Sequence, residues 1–227
     1  MRKDLRIYLS AFPPVFSGIF LFPEERESMK ENKISVKSIA TVGVLGAVAT
    51  ILMYLEFPLT FLIPSFVKFD FSDLPALLAS FALGPIAGIA VCFIKCVIHI
   101  AVSSSAGVGE LANFILGCCF VLPAGIIYKR IKTKKSALIG SLAGSLIMAA
   151  ASLPVNYYIT YPFYMRAYGL SEETIISMYR AILPSIESLP QALLIFNVPF
   201  TLAKGLIVST IVFFTYKRLS PILHGRK

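Results

Sequence analysis

Polar and apolar residues are not interleaved along this chain with the short periods of a soluble fold. They come in blocks, with six long apolar segments separated by short polar connections. The segments cover about 37–55, 73–83, 86–104, 110–128, 136–163 and 189–216, and most reach the roughly 17–25 residues that a helix needs to cross a bilayer. The second is shorter, and Gly84-Pro85 parts it from the third. The pattern predicts an all-α integral membrane protein, a bundle of six transmembrane helices with both termini on one side.

The polar connections give the orientation. Basic residues gather at Lys30, Lys33 and Lys37, in "YKRIKTKK" (128–135), and at Lys217, Arg218, Arg226 and Lys227. With six crossings all three clusters fall on one face, which the excess of positive charge makes cytoplasmic, so a multi-pass cell-membrane protein with cytoplasmic termini is expected. The opposite face then carries three loops, 56–72, 104–110 and 164–188, the last with a helical period over "SEETIISMYRAILPSIES". Residues 1–32 read as an extension ahead of the membrane domain, 33–219 as that domain and 220–227 as a basic tail. Met29 begins a sequence typical of a membrane-protein start, so residues 1–28 are expected to be an over-extended reading frame or a disordered extension.

Composition agrees with this picture. Of the 227 residues 57% are hydrophobic and 15% charged, with a mean hydropathy of +0.80, values a soluble domain of this size rarely reaches. The formal net charge of +9 does not point to nucleic acid, because the charge flanks apolar runs instead of forming a patch. Cys92, Cys96, Cys118 and Cys119 all lie inside apolar runs, which argues against a secreted disulfide framework.

No P-loop, HExxH or GxSxG motif occurs, so the chain is not expected to be an enzyme or to hydrolyse ATP by itself. Asp70 and Asp73 form a D-x-x-D, which would serve an intramembrane phosphotransferase holding Mg²⁺. Such a site needs further oxygen ligands, and Glu56 and Glu110 are the only acids near in sequence. The plainer reading has Ser72 or Asp73 capping the second helix ahead of Leu74-Pro75, and Lys68 pairing locally with Asp70. Cys92, Cys96 and His99 share one helix face, read as small-residue packing and not as a metal site.

A sharper signal lies in "IFNVPFTLAKGLIVS". Asn197, Thr201 and Lys204 stand at i, i+4 and i+7, one polar stripe on an apolar helix. Lys204 is 13 positions from Lys217, or about 20 Å inside the membrane at about 1.5 Å per residue. A charge at that depth is expensive and marks a site facing the protein interior. No buried acid is evident to pair with it, which argues against a stand-alone proton-coupled carrier. Asn156 lies in the outer half of the fifth segment amid Tyr157, Tyr158, Tyr161 and Tyr164. Amides, a hydroxyl and an ammonium among aromatic rings suit a flat heteroaromatic ligand. On the first segment Gly43 and Ala47 belong to a small-residue face that lets another helix approach.

The order "LEFPLTFLIPSFVKFDFSDLPALLASFALGPIAGIAVCFIK", "VGELANFILGCCFVLPAGIIYKR", "PVNYYITYPFY" and "PFTLAKGLIVS" resembles the riboflavin-specific S-components of energy-coupling-factor transporters, collinearly over about residues 33–219. The resemblance implies a six-helix subunit that binds riboflavin from outside as cargo, with no cofactor. It would dock on a transmembrane coupling subunit and two cytosolic ATPases that supply the energy. It implies ligand contacts from Asn156 and Lys204, with Thr201 where the family commonly has Asn and Asn197 compensating one turn away. Cys92 and Cys96 also depart from the family, whose members often carry Glu and Asn there. Gly43 and Ala47 become docking positions for the coupling subunit. Segment 56–73 becomes a lid over the ligand, its end fixed against the second helix by Lys68, Asp70 and Asp73, with Lys68 and Asp70 as possible ligand contacts. A different heteroaromatic vitamin, such as thiamine or a flavin analogue, is the alternative cargo.

Overall fold

The computed structural model describes residues 36–103 and 105–224, with side chains to residue 215. The extension 1–32, with Lys30 and the candidate start at Met29, lies outside the described residues, as do Lys33 and the end of the tail. The chain divides into two compact units, Met1–Ile39 and Ala40–Lys227. Of the first, the described residues Val36–Ile39 are helical.

Helix α1 covers Val36–Tyr54. A short antiparallel pair follows, β1 (Phe57–Pro58) and β2 (Lys68–Phe69), registered Phe57 to Phe69. Next come α2 (Asp73–Leu83) and α3 (Pro85–His99), broken at Gly84, whose φ of +107° is cheap for glycine alone while Pro85 sits well in a first helical turn. Helix α4 covers Val108–Arg130. Helix α5 (Lys134–Val155) passes through a π turn at Asn156–Thr160 into α6 (Tyr161–Tyr168). The outer loop carries α7 (Glu172–Arg180), the helix that its sequence period predicts. Helix α8 (Leu189–Ala192) runs through a second π turn, Leu193–Asn197, into α9 (Val198–His224), which continues past the expected domain end at residue 219.

The all-α membrane class holds, but the helix count needs refining. Five helical runs among the described residues are long and apolar enough to cross a bilayer: Val36–Tyr54, Pro85–Val102, Val108–Arg130, Lys134–Tyr168 and Leu189–Thr215. The sixth apolar helix, α2, has 11 residues, about 16 Å at 1.5 Å per residue, against a hydrocarbon core of about 30 Å.

Two buried clusters hold the second unit together. The inner one joins Leu77, Val91, Phe120, Val121, Met148 and Val208 from five helices. Glycines bring helix backbones close within it: a Cβ added at Gly140 would stand 2.8 Å from the Ala124 carbonyl oxygen, as small-residue packing in membranes requires. The outer cluster packs Ile63 and Phe69 of the α1–α2 connection against Tyr161, Ile175, Tyr179 and Leu193. That connection is thus built into the core instead of hanging free in water. Val44, Ile51, Ile86, Phe93 and Leu146 are exposed, as a lipid-facing surface demands.

Candidate functional site

Between the two clusters lies a cavity walled by the α1–α2 connection, α4, both π turns and α9. Its floor is ionic. Lys204 donates to Asp70 Oδ2 at 2.8 Å and lies 3.2 Å from Asp73 Oδ2. Lys95 on α3, wholly buried, donates to Asp73 Oδ1 and to Ser72 Oγ, both at 2.6 Å. The Ser72 hydroxyl and backbone N–H both donate to Asp70 Oδ1. Two ammonium and two carboxylate groups therefore alternate as a neutral chain. Burial alone would raise the Asp70 carboxyl, but Lys204 and Lys95 outweigh it and hold the group well below the usual carboxylate range.

Three expectations are overturned by this chain of charges. Lys204 does have buried acidic partners, Asp70 and Asp73, which the sequence hides because they lie in another segment. Lys68 pairs with Glu56, not with Asp70, because the β1–β2 ladder carries it back toward the end of α1. Ser72 stands at the N-terminus of α2 yet makes no side-chain cap, since its hydroxyl is engaged by Asp70 and Lys95.

The upper walls come from the helices. Asn156 lines the cavity, with its Nδ2 donating to Ser152 O of its own helix at 2.8 Å. Asn197 is held by the outer helix: Tyr179 OH donates to its Oδ1 at 2.6 Å, and Tyr179 also bonds to Tyr161. Thr201, Phe200 and Lys204 continue the same face. Both asparagines sit in π turns, local distortions that often mark functional sites. Phe66 of the connection meets Tyr161 and Tyr164 edge-on, at centroid distances of 5.8 and 6.0 Å. At the outer rim Glu110 is bonded to His99 at 2.8 Å and accepts from Ser103 at 2.7 Å and Ser105 at 3.1 Å.

All six side chains that the sequence singles out for ligand contact, Asn156, Asn197, Thr201, Lys204, Lys68 and Asp70, thus line one cavity. Tyr157 and Tyr158 do not; both face outward. No group of three or more metal-ligating side chains stands together among the described residues, and Asp70 and Asp73 are each bound by lysine. An all-polar floor under an aromatic lid suits a flat, uncharged, hydrogen-bonding molecule.

Residues 37–216 match the family described as "ECF transporter, substrate-specific component". The chain belongs to that family. This substrate-specific component is 32% identical over 194 residues to the riboflavin transporter RibU of Staphylococcus aureus (strain TCH60), covering 86% of this chain and 96% of that one. It is also 32% identical over 200 residues to the riboflavin transporter FmnP of Bacillus subtilis (strain 168), covering 86% and 97%. Among solved structures, it superposes on the S component of a bacterial ECF transporter with a TM-score of 0.65 and 31% identity, covering 82% of this chain and 97% of that one. The family is one of substrate-binding transport components, so the phosphotransferase alternative falls.

The substrate-specific component also places residues that the sequence does not single out. Lys95 backs the floor through its bond to Asp73, and Asn113 and Thr160 are among the residues lining the cavity. Lys95 carries the same signal as Lys204, a lysine amid apolar residues. Cys92 and Cys96 are buried on α3 and His99 is engaged by Glu110, so the three serve packing and a rim contact. On α1 Gly46 packs on Ile94, whereas Gly43 and Ala47 are exposed and a Cβ at Gly43 meets nothing within 4 Å.

Proposed function

We propose that this chain is the riboflavin-binding subunit of an energy-coupling-factor importer in the cell membrane, with both termini cytoplasmic. The observation that carries the reading is its near full-length likeness to two proteins named as riboflavin transporters. Within residues 33–219, Asn156, Asn197, Thr201 and Lys204 would present hydrogen-bonding groups to the edge of the flavin ring, while Phe66, Tyr161 and Tyr164 cover its apolar part. Lys68 and Asp70 hold the α1–α2 connection over the cavity through Glu56 and Lys204. The chain lacks a nucleotide-binding motif, so energy would come from two cytosolic ATPases acting through a transmembrane coupling subunit. The exposed Gly43–Ala47 face of α1 suits that docking, since a smooth helix surface admits a close neighbour.

The test is the visible absorbance spectrum of the protein purified in mild detergent. Flavin bands, or quenching of added riboflavin fluorescence, support the assignment. A colourless preparation that does not quench riboflavin overturns it.

A further inference from the structure

Helix α4 begins beside the Glu110 rim of the cavity and ends, at its far end, in charge of one sign. From Lys129 to Lys135 five of seven residues are basic: Lys129, Arg130, Lys132, Lys134 and Lys135. All five are exposed. Among the described residues none of them is within ion-pair distance of a carboxylate, and no acidic residue occurs in the sequence between Glu110 and Glu172. The helical runs that meet here, Val108–Arg130 and Lys134–Tyr168, are each long and apolar enough to cross a bilayer. Their connection therefore lies at a membrane surface.

That connection is a closed turn. The Thr133 N–H donates to Ile131 O at 2.7 Å, the Ser136 N–H donates to Thr133 Oγ1 at 3.2 Å, and the Ser136 hydroxyl donates to Ile131 O. The polar groups of the turn thus satisfy one another and leave the basic side chains facing outward. Two of these are well placed for their own helix, since Lys129 and Arg130 stand in the last turn of α4, where the helix dipole favours a cation. Lys134 and Lys135 open α5, where the same dipole disfavours one, and Lys132 belongs to neither helix. Neither a dipole nor an ion pair among the described residues accounts for these three charges.

What they attract is anionic, and the adjoining surface shows that it is also apolar. Ile131, 62% exposed, stands among the cations, and Ile139 is 57% exposed one turn beyond Lys135 on the same face of α5. Ammonium groups at a membrane surface with bare aliphatic side chains directly below them match a molecule with a negative head and hydrocarbon tails. We propose that the α4–α5 turn is a headgroup site for an anionic phospholipid. The phosphodiester lies among Lys132, Lys134 and Lys135, and the acyl chains run along Ile131 and Ile139. Each basic residue near such a surface adds to the attraction. The site is separate from the cavity and does not depend on which cargo the cavity holds.

The experiment titrates the full chain in mild detergent with phosphatidylglycerol or phosphatidylcholine of identical acyl chains. Bound lipid is read by native mass spectrometry, and the unfolding midpoint is followed in parallel. Wild-type protein is expected to bind phosphatidylglycerol at least about tenfold more tightly than phosphatidylcholine, and to gain in midpoint from phosphatidylglycerol alone. The variant with Lys132→Gln, Lys134→Gln and Lys135→Gln should lose that preference. The variant with Lys132→Arg, Lys134→Arg and Lys135→Arg should keep it. All three positions are exposed, so the lipid-free midpoint of both variants should match wild type, which separates a lost site from a lost fold. Equal affinity of wild-type protein for the two lipids would overturn the proposal, and so would a preference that survives the three glutamines. Loss of coupling-subunit binding by the glutamine variant with its lipid preference intact would give this face to a protein partner instead. Glycerol phosphate is the third probe: stabilisation by it equal to that by phosphatidylglycerol would mean a phosphate site and no lipid site.

Discussion

Lys204 on α9 reaches across 134 positions of sequence to donate to Asp70 in the segment ahead of α2, at 2.8 Å. The contact ties the end of the α1–α2 connection to α9 at the cavity floor, and both residues are largely withdrawn from solvent. Its partners extend through Asp73 to Lys95. Removing a member does not simply delete a bond; it leaves a charge without an opposite.

The members are not equivalent. Asp73 faces two lysines, whereas Lys204 keeps Asp73 when Asp70 is neutralised. Asp73→Asn is therefore expected to destabilise by about 3–5 kcal/mol, the cost of breaking a buried pair, and Asp70→Asn by less. Lys95→Met combined with Asp73→Asn should recover part of the loss. Unfolding midpoints in detergent check the order; Asp70→Asn proving the more damaging would contradict it.

Tyr179 belongs to the outer helix yet fixes the Asn197 amide. Tyr179→Phe keeps the ring packing and removes the bond that orients the amide. It is expected to cost about 1–2 kcal/mol of stability and to weaken riboflavin several-fold. Kd and the unfolding midpoint, measured together, test this. A fall in midpoint with unchanged affinity would show that Asn197 does not touch the ligand.

The groups around the cavity comprise four carboxylates, Glu56, Asp70, Asp73 and Glu110, and three ammonium groups, Lys68, Lys204 and, behind Asp73, Lys95, each of which already faces a carboxylate. A phosphorylated flavin would meet repulsion with no free cation to offset it. It should bind at least about tenfold more weakly than riboflavin. Glu56→Gln, which releases Lys68, should narrow the gap. Competition titrations decide, and equal affinity for the two flavins would sink the charge argument.

Helix α1 separates folding from assembly. Gly43→Leu and Ala47→Leu project into space that the chain does not fill, so riboflavin affinity in the isolated subunit should be unchanged. Co-purification with the coupling subunit and ATP-driven uptake should be lost, as close helix approach is blocked. Gly46→Ala differs, because its Cβ would stand 2.9 Å from Ile94 Cγ2 and the cost should fall on folding itself. Uptake that survives Gly43→Leu would move the docking surface elsewhere.

The limits of sequence reading follow from what each signal depends on. Apolar length is local, so the segment ends at 55, 83 and 128 fall within about two residues of the helix ends at Tyr54, Leu83 and Arg130. Polar residues inside apolar helices are local too, which is why Asn156, Asn197, Thr201 and Lys204 were legible. Pairing is not local. The partner of Lys204 lies in another segment, and the β1–β2 register that sends Lys68 to Glu56 depends on two residues of ladder. The π turns change which side chains share a face, and no residue type announces them. Lys95 is legible by the reasoning applied to Lys204, a lysine amid apolar residues, but its partner Asp73 lies in another segment.

The shortness of α2 has a consequence for the path the cargo must travel. In the proposed orientation its C-terminal end lies toward the cytoplasm, and its 11 residues rise only about 16 Å from there. The floor formed at its N-terminus by Asp73 and Lys95 is therefore sunk to about mid-depth of the hydrocarbon layer. On that reading, a molecule resting on the floor would have crossed about half the permeability barrier by diffusion alone. In the proposed importer, ATP would then have to drive passage across the inner half alone.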